Sequence, residues 1–441
     1  MDEENARLSA SGTLSMAGQP WFEAAATKVL FAALNTGPHR TRAVGGALRN
    51  SLMGLPVNEV DFATTATPKD VMSLAVAAGL KAVPTGLRHG TVTVVVDHHP
   101  FEVTTLRQDV ETFGRHASVK FTRDWAMDAS RRDFTMNALY ADADGMVHDP
   151  LGGYPDLAAR RVRFIGSARA RIREDFLRIL RFFRFTADYG DQPDPDGYSA
   201  CLAERAGLAK LSAERVHVEL LRILAAAKPA RALGPMSEGG LLTLLLGGVV
   251  RVSHAERMIA IEAANGLPSD PLRRLAALAL MVEEDAKRLA DRLRLSNVEA
   301  ARLQAMAALK PVLAARMDAL ALKTALYRVG SLRFRDRVLL TWARAGAAPD
   351  DAGWRDQLAL PDRWKAPGFP VKGEDLLSAG VERGPIMGQL LRDLEAEWIA
   401  SDFKLGWHAL LNRLRWTDNN HPYLAGKLSG TGERGGDGEG H

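Results

Sequence analysis

Between residues 20 and 150, short runs rich in β-branched and aromatic residues alternate with stretches of helical periodicity. The runs are TRAVGG, NEVDFATT, TVTVVVD, PFEVTTL and MNALYAD to MVHD, separated by Gly, Pro and Asp turns. After about residue 155 the 3.6-residue period dominates. ALAKLSAERVHVELLRILAAAK predicts a helix starting near 212, and amphipathic stretches predict helices over 271–293, 297–315 and 318–328. Residues 1–19 and the Gly- and charge-rich 425–441 carry no such period and are expected to be flexible. The pattern predicts an α+β chain. A head with a mixed β-sheet and flanking helices (20–150) precedes a helical neck (151–225), a helical body (226–345) and a helical tail (346–424).

Composition narrows this only a little. The chain has 441 residues, too many for one core, with 46% hydrophobic and 25% charged residues. Lysine and arginine total 57 against 53 acids, an excess too small to argue for nucleic acid without looking at its distribution. One cysteine, Cys201, excludes an internal disulfide and a thiolate metal cage and fits a reducing compartment. The opening MDEENARLSASG is acidic and polar, unlike a secretory signal or an Arg-rich transit peptide. No apolar run approaches the roughly 18 residues that span a bilayer. A cytoplasmic protein without a membrane partner is expected.

Candidate chemistry begins at VNEVDFATT. In a strand, residues i and i+2 share a face, so Glu59 and Asp61 should project together while Val60 and Phe62 pack behind. Two such carboxylates repel unless a cation sits between them, and Mg²⁺ accepts a few hard oxygen ligands plus water and phosphate. Glu102 in PFEVTTLR offers a third acid on a neighbouring strand. Taken alone, the pair reads first as a solvated strand edge. Its neighbourhood shifts that reading. RAVGGALRN places Gly45 and Gly46 at a strand-to-helix turn, where backbone N–H groups can approach a phosphate, with Arg49 one turn into the helix. In SRRDFTMNALYAD, Arg131 or Arg132 could hold a triphosphate, and Asp133 and Asn137 a ribose hydroxyl; a capped helix start with solvated arginines reads equally well. In RIREDFLRILRFFRF, Asp175, Arg178, Arg181 and Arg184 recur every three residues, as on one helix. An Asp acceptor beside an Arg donor fork could read a nucleobase edge; a salt-bridged surface helix would look alike.

Together and in this order, the motifs resemble the class II tRNA nucleotidyltransferases, the CCA-adding enzymes, and their bacterial poly(A) polymerase relatives. The matching stretches are VGGALRN (44–50), NEVDFATTATP (58–68), RHGTVTV (88–94), FEVTTLR (101–107), RRDFTMNA (131–138), DPLGGYPDL (149–157), REDFLRILRFFRF (173–185) and SAERVHVELLRIL (212–224). They span about residues 40–225. The resemblance implies template-independent addition of CCA to tRNA 3′ ends from CTP and ATP, with Mg²⁺-assisted attack of the RNA 3′-hydroxyl on the α-phosphate. It implies Glu59 and Asp61 as Mg²⁺ ligands, with Glu102 completing the catalytic acids. Gly45, Gly46, Arg49, Arg132, Asp133 and Asn137 would contact the nucleotide. Asp175 and Arg178 would read its base, supported by Arg181 and Arg184. DPLGGYPDL would be a flexible joint, residues 108–130 a flexible loop, and the tail an RNA-binding region for the tRNA acceptor arm.

Two positions depart from the family pattern: Glu59 stands where Asp is usual, and Asn50 where Arg49 is usually followed by Asp. PTGLRHGTVTV (84–94) follows the CCA enzymes rather than the poly(A) polymerases, while an A-only enzyme stays open and a non-catalytic RNA-binding relative is a remote alternative. Nine Lys/Arg in 301–345 (Arg302, Lys310, Arg316, Lys323, Arg328, Arg333, Arg335, Arg337 and Arg344) suit an RNA backbone as well as they suit solvated helix faces.

Overall fold

Among the described residues, the β-rich alternation folds into nine strands: β1 (Thr41–Val44), β2 (Asp61–Thr64), β3 (Lys81–Gly86), β4 (Thr91–Val96), β5 (His99–Thr105), β6 (Arg107–Phe113), β7 (His116–Phe121), β8 (Tyr140–Ala141) and β9 (Val147–His148). Seven form one sheet in the order β3-β4-β5-β2-β1-β8-β9, and β6 and β7 form a separate hairpin. β2 and β5 run parallel and the other pairs antiparallel, so the sheet is mixed. This computed structural model describes residues 14–113, 116–308 and 313–417.

One sheet face is apolar because β4 alternates strictly, with Val92, Val94 and Val96 buried. Helices Ala25–Leu34 and Pro68–Ala77 cover it. Thr67 and Asp70 close a capping box that fixes where the second helix begins. Phe62 on β2 is sandwiched edge-on between Phe31 (5.1 Å) and Phe101 (5.6 Å). Burying a side chain of that size is worth about 1.5–3 kcal/mol, enough to set which face of β2 points inward. Asp61, one residue before it, must then face out.

The helical region starts on an aromatic seam. Phe134 lies 4.9 Å from Phe164 and 5.0 Å from Phe185, and Phe164 stacks on Phe182 at 5.5 Å. This seam seats helix Leu177–Tyr189 against the head, and helix Ala213–Ala225 packs on its other side. The DPLGGYPDL segment is tightly seated too. A Cβ on Gly153 would lie 2.1 Å from the Thr135 carbonyl oxygen, so only glycine fits there.

By internal contacts the chain divides into two units, Met1–Glu256 with Ser269–Ala300, and Arg257–Pro268 with Ala301–His441. The expected body (226–345) is therefore shared between them. The second unit contains helices Ala319–Val329, Ser331–Ala345 and Pro385–Ala400, with a core around Trp398, Leu390, Leu394 and Leu376. Among the described residues, no helix is long and apolar enough to cross a membrane.

Several expectations need correction. Residues 14–16 of the expected flexible start are tied to the sheet edge: Met16 N–H donates to Gly145 O at 2.8 Å, and Val147 N–H to Leu14 O at 3.1 Å. The helix expected over 271–293 is two helices, Pro271–Ala279 and Glu283–Leu293. The Asp285 carboxylate takes the N–H groups of Met281 (2.7 Å) and Val282 (3.0 Å) and so starts the second helix. The helix expected over 297–315 runs Asn297–Ala307. The stretch 171–185 is also not one helix. Ala168–Glu174 ends at Asp175, which is extended (φ −153°, ψ 108°), and a new helix starts at Leu177. Residues 1–13, 114–115, 309–312 (with Lys310) and 418–441 (with the expected flexible C-terminus) lie outside the described residues.

Candidate active site

Asp61 borders two cavities. The first, about 480 Å³, is lined by Gly45, Gly46, Arg49, Asp61, Arg132, Asp133, Asn137, Asp175, Leu177, Arg178, Arg181, Phe185 and Arg215. The second, about 850 Å³, is lined by residues including Glu59, Asp61 and Glu102. The structure thus gathers most sequence-expected nucleotide contacts around one space, and the three acids around the other. Arg184 lines neither cavity. Its Nε instead donates to Glu219 Oε2 at 2.8 Å.

The turn before helix Gly46–Leu52 is set by Gly45, whose φ of 74° lies in the left-handed region that favours glycine. A Cβ there would sit 3.6 Å from the Arg132 guanidinium. Arg49 is buried and tethered. Its Nη1 donates to Asn137 Oδ1 (2.6 Å), its Nη2 to the Tyr189 hydroxyl (2.8 Å), and its Nε and Nη2 to Asn50 Oδ1 (3.2 and 3.0 Å). Asn50 therefore orients Arg49 as an aspartate could, while its Nδ2 donates to Pro56 O at 2.8 Å. Because its acceptors are neutral, the Arg49 charge is left for an anion. Burial lowers the Arg49 pKa, the cost of holding that charge without a carboxylate in contact.

Arg131 and Arg132 are neither solvated nor at a helix start. They follow helix Trp125–Ser130 and clasp its buried Asp128. Tyr140 also donates to Asp128, at 2.8 Å, and accepts from Arg132 Nε at 3.2 Å. Burial alone would raise the Asp128 pKa, but Arg132 and Arg131 outweigh it and lower it. Asp133 receives Arg181 Nε and Nη2 at 2.8 and 2.6 Å and Asn137 Nδ2 at 3.0 Å. Burial pushes its carboxyl up, yet Arg181 and these hydrogen bonds hold it down to about 2.

Asp175 sits at the break between two helices. One oxygen caps the second helix by accepting Leu177 N–H (3.1 Å), and the other accepts Arg215 Nη2 (2.6 Å). A carboxylate offers about four lone-pair sites, so acceptor capacity remains. Arg178 is held by Glu174 and by the Arg171 carbonyl (2.8 Å). Sequence reasoning missed Arg215, Phe185 and Leu177 as cavity residues. Arg215 stood within a quoted motif, but its partner lies 40 positions away.

On the acid side, the expected strand position of Glu59 is corrected. β2 starts at Asp61, so Glu59 lies in the exposed segment before it and the strand rule does not place it. The β2–β5 register sets Asp61 directly beside Glu102. Partial shielding raises the Asp61 pKa, and the charges of Glu102 and Glu59 push the same way against Arg132. Among the described residues, no group of three or more His, Cys, Asp or Glu side chains is arranged to hold a metal ion. Still, crowded carboxylates with hard oxygen donors fit a divalent cation, which would relieve their mutual repulsion.

Of the basic residues expected to meet RNA, Arg302 pairs with buried Asp336, Lys323 with Asp402 and Arg335 with Asp362. Arg337 is buried, whereas Arg316, Arg328 and Arg333 are exposed.

Residues 41–163 match the family model for the poly A polymerase head domain, and residues 192–249 that for the probable RNA and SrmB-binding site of polymerase A. The mitochondrial CCA tRNA nucleotidyltransferase 1 of Danio rerio is 35% identical over 393 residues, covering 85% of this chain and 86% of the relative. The CCA-adding enzyme of Latilactobacillus sakei is 30% identical, covering 83% and 92%. The crystal structure of the Bacillus stearothermophilus CCA-adding enzyme in complex with CTP superposes with a TM-score of 0.70 at 27% identity, covering 90% of this chain and 98% of that one. An arginine-lined cavity and an acid-lined one meeting at Asp61, carried on this head and these relatives, place the chain in the family of CCA-adding tRNA nucleotidyltransferases.

Proposed function

We propose that the chain adds CCA to tRNA 3′ ends from CTP and ATP, with Asp61 as the point where nucleotide and RNA meet. The observation that carries this reading is that Asp61 borders both cavities and stands beside Glu102. In it, Gly45, Gly46, Arg49 and Arg132 bind the triphosphate, and Asp133 and Asn137 hold Arg181 and Arg49 in place rather than taking the ribose directly. Asp175 and Arg178 meet the base, Arg215 aims Asp175, and Arg184 steadies the helix from outside the cavity.

Glu59 and Asp61 are assigned as the holders of the divalent ion the family uses, with Mg²⁺ the ion that suits them. When bound, it would supply Lewis-acid stabilisation to the phosphate oxygens. The RNA 3′-oxygen forms its bond to the α-phosphorus as the α–β phosphoanhydride bond breaks. The hydroxyl proton passes to Glu102, and pyrophosphate leaves against the arginines. The tRNA acceptor arm is the proposed macromolecular partner, contacted by the tail and by exposed arginines such as Arg316, Arg328 and Arg333. The head, neck, body and tail scheme and a cytoplasmic location are kept as part of this proposal, although some relatives are mitochondrial.

The test is incorporation. Purified protein is given Mg²⁺, labelled CTP or ATP, and RNAs ending before CCA, ending after CC, or unstructured. Addition of two C and one A to the first tRNA supports the proposal. Long A-tails on any RNA, or A addition to the CC-ended tRNA alone, would replace it with one of the two relatives' activities.

A further inference from the structure

The arginines of the first cavity are not all held alike. Among the described residues lining it, Arg132, Arg178, Arg181 and Arg215 each pair with a carboxylate, and Arg49 does not. Neutral acceptors set its plane instead. Nη1 donates to Asn137 Oδ1 (2.6 Å), Nε and Nη2 to Asn50 Oδ1 (3.2 and 3.0 Å), and Nη2 to the Tyr189 hydroxyl (2.8 Å). These bonds occupy four of the five guanidinium N–H groups and leave one on Nη1. With one N–H to spare, binding of an anion at Arg49 depends on how the plane is turned.

Tyr189 is the holder that comes from the neck. It is the last residue of helix Leu177–Tyr189, which also carries Arg178, Arg181 and Phe185. The Arg49 guanidinium carbon lies 4.0 Å from the centre of the Tyr189 ring and 5.2 Å from that of Phe185. Phe185 and Tyr189 stand four positions apart on one helix face, with ring centres 5.4 Å apart. Tyr189 therefore meets Arg49 twice, by its hydroxyl and by the face of its ring. The helix end that bears it is anchored. Gly190 N–H donates to Phe185 O (3.2 Å) and Thr186 O (3.0 Å), and Arg231 Nη1 donates to Gly190 O. Tyr189 itself lines neither cavity, so its route to a substrate runs through Arg49.

We propose that Tyr189 is a positioning residue for the triphosphate: it fixes the plane of Arg49 and ties the phosphate contact to the helix that carries the base contacts. This role rests on the assignment of Arg49 to the triphosphate in the proposed reaction. Seating that helix then completes both ends of the nucleotide site at once, Arg178 at the base and Arg49 at the phosphates.

Calorimetric titration of the full chain, without tRNA, tests this with three probes: CTP, inorganic tripolyphosphate and cytidine. Tyr189→Phe keeps the ring and removes the hydroxyl. It should weaken CTP and tripolyphosphate by a similar factor, roughly three- to tenfold, the scale of one hydrogen bond, and leave cytidine unchanged. Tyr189→Leu, which removes the ring too, should weaken both anions further. In an Arg49→Ala background Tyr189→Phe should have no added effect, because the two side chains act as one unit. Steady-state kinetics adds a second readout: the KM values for CTP and ATP should rise together under Tyr189→Phe, with the KM for tRNA unchanged. An equal loss for cytidine, a changed ratio of CTP to ATP, or the same loss with and without Arg49 would overturn the proposal, since each marks a displaced helix rather than a misdirected arginine. The contrast between tripolyphosphate and cytidine needs only Tyr189→Phe and so survives poor folding of the Arg49 variant. If the unaltered protein binds tripolyphosphate but extends no tRNA, the functional reading fails and the role of Tyr189 is still decided. If it binds neither tripolyphosphate nor CTP, the anion role of Arg49 and that of Tyr189 fall together.

Discussion

The two sides of Asp61 are built on opposite plans. On the arginine side, Arg49, Arg132, Arg178 and Arg181 are each held by fixed acceptors, so the phosphate-binding shape exists before a nucleotide arrives. On the acid side, burial and the charges of Glu102 and Glu59 raise the proton affinity of Asp61 against the pull of Arg132, and among the described residues no arginine or lysine lines the cavity. The difference teaches how one head can take two polyanionic substrates. It sets fixed guanidinium groups on one side of Asp61 and carboxylates on the other. Pre-organised donors act without reorganising at the moment of transfer, whereas the acids gain from whatever cation and hydroxyl groups they receive.

The strongest way to break this comparison is at Glu102. Glu102→Gln should slow transfer by roughly 10²- to 10⁴-fold, the range for a group acting on the reacting proton. CTP affinity in equilibrium dialysis should not change; an equal loss of CTP binding would mean the two sides are one site. Next comes the arginine side's internal bracing. Arg181→Ala leaves Asp133 buried without its partner and should cost about 3 kcal/mol in urea unfolding. That effect has a pH signature. The Asp133 pKa is depressed in the fold to about 2, so its stabilisation is present above the ordinary carboxylate value and is lost as pH falls from about 4 through about 2. The gap between the unaltered protein and Arg181→Ala should narrow over that window, and a constant gap would show that Arg181 acts through packing alone.

Smaller effects sharpen the picture. Asp175→Ala or Arg178→Ala should cut the discrimination between CTP and ATP by the roughly 1–3 kcal/mol of one good base contact, read as the ratio of kcat/KM values. Unchanged selectivity would remove both from base reading. Asp61→Asn should raise stability in metal-free buffer by roughly 0.2–1 kcal/mol, the scale of charge pairs still in touch with water. The sign follows from its raised pKa, because the fold disfavours the ionised form. A lower Tm in the presence of chelator would contradict crowding among these acids.

Much of this was legible in the chain because the informative residues sit within a few positions of a rigid element. Gly45, Gly46 and Arg49 share one turn, and Asp61 and Glu102 stand in runs whose β-character is plain. What was not legible depended on distance or on a broken period. Arg215 reaches Asp175 only because helix Ala213–Ala225 packs against Leu177–Tyr189, which no local pattern reports. The three-residue spacing from Asp175 to Arg184 looked like one helix. The capping geometry of Asp175 instead divides it, and Arg184 is turned to Glu219. Glu59 falls just outside the strand, so alternation could not place it. Its charge is nevertheless felt at Asp61. Asn50 resolves simply: orientation of Arg49 needs an acceptor oxygen, which an amide supplies as well as a carboxylate.

The capping role of Asp175 carries one more consequence. The side chain assigned to the incoming base also starts the helix that bears Arg178, Arg181 and Arg184. Losing such a cap typically costs about 1 kcal/mol. A lineage drifting toward a different letter at the tRNA end by changing this residue would therefore meet a folding penalty first. Selection against misfolded protein would act as a guard on nucleotide choice, even where a wrong terminal letter alone went unpunished.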